Sequence, residues 1–65
     1  MTHYMLVLRG VALYYYPNEN TYGWGPVSVS TGRQGVLVEW ALRVEAESFV
    51  DRNRVFSAGA VITVT

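Results

Sequence analysis

Cysteine and lysine are both absent from this chain, and histidine occurs once, at position 3. Without cysteine there is no disulfide staple, no thiolate nucleophile and no sulfur-ligated metal. Without lysine, the positive charge rests on five arginines, balanced by five acids to a net charge of zero. That balance supplies no cationic excess for duplex DNA, whose affinity for proteins comes largely from phosphate contacts. It also leaves no polybasic segment for an anionic membrane surface. Met5–Leu8 is too short for a signal-peptide core, and no uncharged run approaches a membrane span. The expectation is a soluble protein without a cleaved leader, its location left open, with cytoplasm and virion as the two candidates.

What the chain has in quantity is apolar surface. Apolar residues make up 51% of the sequence against 15% charged, which excludes a disordered chain. Sixty-five residues form one domain, spanning 1–65. A domain of this size buries only about 60% of the surface its unfolded chain exposes. With neither disulfide nor metal, the core alone must offset chain entropy of about 1.5 kcal/mol per residue. The remaining apolar surface is expected to be covered by association, with copies of the chain itself or with another protein.

The clearest pattern runs from Val36 to Glu47. Val36, Val38, Trp40, Leu42, Val44 and Ala46 alternate with Leu37, Glu39, Ala41, Arg43, Glu45 and Glu47. A period of two predicts a strand with one dry and one wet face, Trp40 buried and Glu39, Arg43 and Glu45 exposed. Glu39, Arg43 and Glu47 also stand four apart, as ion pairs on a helix do. Wound as a helix, however, Val36–Val50 would carry apolar residues all round, so a strand is the expected form.

The polar break Asp51-Arg52-Asn53 then predicts a hairpin between Val36–Val50 and Arg54–Thr65. A three-residue loop pairs Ala46 with Ala58, Val44 with Ala60, Leu42 with Ile62 and Trp40 with Val64, which keeps the apolar residues on one face. Earlier in the chain, His3–Arg9 reads as a strand that is apolar on both faces. Gly10 interrupts it as a kink or bulge, and Val11–Tyr16 resumes it. Pro17–Pro26 is rich in turn formers and reads as a loop. Val27–Thr31 is a short strand, and Thr31–Gly35 is a turn. Together these segments predict an all-β fold: a small five-stranded antiparallel barrel, or a compact two-layer sheet with a long C-terminal hairpin. Val55–Thr65 carries no charge, no lysine and no proline, so it needs cover, either central in a closed sheet or against another subunit.

Two groups of residues are candidates for contact. Tyr14, Tyr15, Tyr16, Tyr22 and Trp24 cluster around a Gly/Pro loop; such rings dominate binding hot spots, stack bases or sugars, or cap a small core. Val61 and Ile62 lie in the charge-free terminal strand. Val11-Ala12-Leu13-Tyr14 followed by Tyr16 resembles the opening motif of Src-homology-three adaptor domains, which bind Pro-rich peptides. The match spans five residues. That family's acidic loop, tandem tryptophans and closing Pro-Ser-Asn-Tyr stretch are absent, so no family is assigned.

Chemistry is scarce. The glycines at 23, 25, 32 and 35 fit no nucleotide-binding fingerprint. His3 has no matching ligands for a metal, and no nucleophile–base arrangement is visible. The chain therefore reads as a non-enzymatic structural or assembly protein without cofactors, acting through protein–protein contacts, with a viral or phage component as the expected setting. The alternatives are a β-barrel module that uses the Tyr14–Trp24 aromatics on a peptide, glycan or single strand, and a surface-capture inhibitor of a host enzyme.

Overall fold

The sheet begins at a tight turn. In the computed structural model, which describes residues 2–26 and 35–65, β1 (Tyr4–Leu8) and β2 (Val11–Tyr16) pair antiparallel with Leu8 opposite Val11. Arg9 and Gly10 between them have φ of 51° and 85°. Positive φ at both loop positions is the mirror-image turn whose twist suits a two-residue hairpin, and glycine adopts it without strain. Gly10 is therefore a hairpin turn, where the sequence predicted a kink or bulge.

β2 turns back through Pro17–Asn20 into β3 (Thr21–Gly25), with Tyr16 opposite Thr21. The Glu19 and Asn20 N–H groups donate to the carbonyls of Tyr16 and Pro17, at 3.1 and 3.3 Å. The Tyr15 hydroxyl reaches the Asn20 Oδ1 at 2.6 Å. The expected loop of residues 17–26 thus shrinks to its first four positions. Thr21–Gly25 is a strand because its glycines make room rather than turns: a Cβ at Gly23 would stand 3.0 Å from the Tyr16 ring.

Beyond Val7 and Ala12 the β1–β2 pair opens like a fork, and residues 36–40 fill it. β4 (Val36–Leu37) pairs with β2, placing Leu37 opposite Tyr14 and Val36 opposite Tyr15. Val38 then donates to the Leu13 carbonyl at 3.0 Å, and Trp40 exchanges two backbone hydrogen bonds with Tyr4 at 2.8 and 2.9 Å. The expected strand at 27–31 and the turn residues 31–34 lie outside the described residues.

The long alternating strand does not form. Arg43–Arg52 is a ten-residue helix, α1, entered from an extended Leu42. The Glu45 carboxylate accepts the Leu42 N–H at 3.3 Å, half of a capping box. Arg43 and Glu47 form the four-apart ion pair at 3.3 Å. Asn53 ends the helix, donating both its N–H and its Nδ2 to the Phe49 carbonyl at 3.0 and 2.9 Å. The apolar face is narrow: Ala46 and Phe49 are buried and Val50 is half-buried, while Val44 is 60% exposed. A strand along 36–47 needs a backbone partner over its whole length. A helix satisfies its own groups.

The predicted C-terminal hairpin is therefore replaced. Residues 53–59 are turns, with Ser57 N–H donating to the Asn53 carbonyl at 2.8 Å. β5 (Val61–Val64) pairs antiparallel with β1, placing Ile62 opposite Leu6 and Val64 opposite Tyr4. Ile62 does not meet Leu42. Trp40 and Val64 do lie level with each other, but on opposite sides of Tyr4.

The result is mostly sheet: five antiparallel strands in the order β3-β2-β1-β5, with β4 paired to β2, and one short helix. No pairing joins β3 to β5 among the described residues, so barrel closure is not found. α1 packs against β1 and β5. The core is Leu6, Leu13 and Phe49, packed against Trp24, Val38, Trp40, Val50, Ala60 and Ile62. Trp40 is half-buried where full burial was expected, its ring 5.5 Å from that of Phe49. Glu39, Arg43 and Glu45 are exposed as the sequence predicts.

Candidate functional site

The aromatic segment does not form one surface. Strand alternation sends Tyr14 and Tyr16 to one face of the sheet and Tyr15 to the other, and the β2–β3 register puts Tyr22 and Trp24 with Tyr15. On the first face the Tyr14 and Tyr16 ring centroids are 6.5 Å apart, and the Tyr14 hydroxyl donates to the Pro26 carbonyl at 2.9 Å. Tyr16 is buried against Gly23 and Gly35.

On the helix face, rings build the core outward. Tyr15 contacts Tyr22 at 5.1 Å, and Tyr22 meets Phe49 edge-on at 5.1 Å. Trp24 stacks on Phe56 at 5.4 Å. Edge-on and offset contacts of this kind add roughly 0.5–1.5 kcal/mol each beyond area burial. Phe56 and its neighbour Val55, which is 94% exposed, extend this apolar surface. Sequence reasoning missed both, because it read Arg54–Thr65 as one strand.

The other candidate pair, Val61 and Ile62, lies at the edge of the sheet. Val61 and Val64 are 61% and 60% exposed, whereas Ile62 packs on the core. The direction of the backbone groups follows from the ladder. Thr65 donates its N–H to the His3 carbonyl at 2.9 Å. In an antiparallel pair, hydrogen-bonded positions recur every second residue. Val61 and Thr63 therefore turn their N–H and C=O groups toward β1, as Thr65 does. Ile62 and Val64 turn theirs outward, where no strand lies among the described residues. Tyr4 supports this phase independently, because both its backbone groups face Trp40 instead of β5.

Beside this edge runs a groove of about 520 Å³ between α1 and β5, floored by Ala60, Val61 and Ile62 and walled by the helix at Val50. Its charged rim is paired internally, Arg43 with Glu47 at 3.3 Å and Arg54 with Asp51 at 2.8 Å. These pairs are exposed and contribute about 0–1 kcal/mol each. Their larger effect is to leave the rim with no net charge.

Ser57 is the buried polar residue among the described ones, and its Oγ has no hydrogen-bond partner and so no base to take its proton. Among the described residues no three His, Asp or Glu side chains gather as a metal site, and no helix is long and apolar enough to cross a membrane. No family model, curated protein or solved structure matches the chain.

Proposed function

We propose that this chain is a small non-enzymatic structural or assembly protein that works by self-association through the β5 edge. The observation that carries this reading is the edge itself. Val61–Val64 is a charge-free β-branched strand with an outward row of backbone donors and acceptors and no neighbour among the described residues. Strands left in that condition are templates for another strand, and proteins that remain apart protect them with charge, proline or a bulge. The neutral rim of the adjoining groove supports the same reading, since it sets up no repulsion against an approaching copy. An aromatic binding groove has less support, because the five rings divide between two faces and most of them pack on the chain's own residues.

Sedimentation of the purified chain, alone at micromolar concentration, tests the proposal. The expected result is a multimer whose thermal midpoint rises with concentration. A monodisperse monomer with a concentration-independent midpoint overturns it.

A further inference from the structure

We infer that the partner of β5 is the β5 strand of a second copy, run antiparallel across a twofold axis that passes between the two Thr63 residues. This rests on the assembly reading above and specifies its geometry. The argument starts from the outward groups. Within β5, Ile62 and Val64 present N–H and C=O to the side that is open among the described residues, as the β1 ladder requires. A symmetric antiparallel pairing can centre on residue 62, 63 or 64. Centred on 62, it sets Val64 against Ala60, whose N–H is already given to the Ser57 carbonyl at 2.9 Å. Centred on 64, it carries Ile62 past the end of β5 at Val64, so that only the Val64 groups pair between the two strands. Centred on 63, each Ile62 exchanges two hydrogen bonds with the partner's Val64, and every outward group of both strands is used.

Side-chain chemistry agrees with that register. The two Thr63 residues come directly opposite in a non-hydrogen-bonded pair, where side chains approach most closely and Thr–Thr contacts are favourable. Ile62 lies opposite the partner's Val64 on the helix face, a β-branched match, and no charge stands on either strand. Because directly opposed residues share a face, both α1 helices lie on the same side, and the two grooves join over Ile62 and Val64. The contact uses the same edge twice and so closes as a dimer instead of propagating as a fibre. It gives one sheet ordered β3-β2-β1-β5-β5-β1-β2-β3.

The chain has no cysteine, so single substitutions read the register directly. In Thr63→Cys the two thiols sit on residues whose Cα atoms are about 4.5 Å apart, within disulfide reach. In Ile62→Cys or Val64→Cys they lie on diagonal positions about 7–8 Å apart, beyond it. Under mild oxidation Thr63→Cys is expected to form a covalent dimer at least tenfold faster than the other two. Val64→Pro deletes an outward N–H without touching the β1 ladder, and is expected to turn the dimer into a monomer. Protection of the Thr63 amide from hydrogen exchange confirms that this variant is still folded.

Fastest cross-linking at 62 or 64, or equal rates at all three sites, overturns this register, while an oligomer in sedimentation leaves the assembly reading standing. A dimer that survives Val64→Pro overturns the β5 contact. A monomeric parent chain overturns both.

Discussion

The two halves of this molecule carry opposite relations between pattern and structure. Residues 4–25 alternate imperfectly, with a run of three tyrosines and two glycines in the last strand, and yet they form three strands. Residues 36–47 alternate almost without fault, and yet only Val36–Leu37 is a strand and a helix starts at Arg43. What separates the halves is access to a backbone partner. Tight turns at Arg9-Gly10 and Pro17–Asn20 bring each of the first three strands against its neighbour. The second half meets a sheet whose inner positions are already paired. It enters the fork at Tyr14, Tyr15 and Tyr4, and past Trp40 it satisfies its backbone within a helix. An alternating pattern permits a strand, and which segment takes each available partner is decided by the rest of the fold.

The sharpest test of this contrast sits within the helix. Phe49 closes the core against Leu6 and Leu13, so Phe49→Ala is expected to cost about 3–5 kcal/mol in a denaturant titration. A loss below about 1 kcal/mol means that α1 does not pack as described.

The next largest effect is expected where the two halves meet, at the glycine that precedes β4. A Cβ at Gly35 would lie 2.5 Å from the Tyr16 ring, itself buried. Gly35→Ala therefore overpacks the site, at an expected cost of about 1–3 kcal/mol. If the substitution instead stabilises the chain, as an unstrained Gly→Ala change does, Tyr16 does not occupy this space.

The smallest effect discriminates most directly between the two readings of 36–47. In the alternating-strand reading, Val44 shares the dry face with Trp40, and truncating it must be costly. On α1 it is 60% exposed, and alanine is the better helix former by about 0.5 kcal/mol. Val44→Ala is expected to leave stability unchanged or raise it by up to about 0.5 kcal/mol. A loss above 1 kcal/mol restores the strand.

Much of the first half was legible from local chemistry. Turn residues and β-branched or aromatic runs located β1 and β2, and composition implied a chain with more apolar surface than it can enclose. Residues 21–25 were misread because Gly23 and Gly25 look like turn formers in isolation. Their use, to let Tyr14 and Tyr16 lie across β3, depends on a neighbouring strand. The helix had its own signals: Glu45 three residues after Leu42, Arg43 four before Glu47, and Asn53 at the end. In the sequence the four-apart spacing gives way to the apolar residues that a helix over Val36–Val50 would carry all round, two of which, Leu42 and Val44, the structure leaves in solvent.

The candidate site divides the same way. That the terminal strand is apolar, uncharged and unprotected is a property of Val61–Val64 as a sequence, readable without any fold. That it lies at an edge, with Ile62 and Val64 turning their backbone groups outward, was settled by its pairing with β1 instead of with residues 36–50. Side-chain character is local and can be read residue by residue. Which strand lies next to which, and so which hydrogen-bonding groups remain open, depends on contacts between residues such as Tyr4 and Val64 that are far apart in the chain, and only the tertiary structure decides among them.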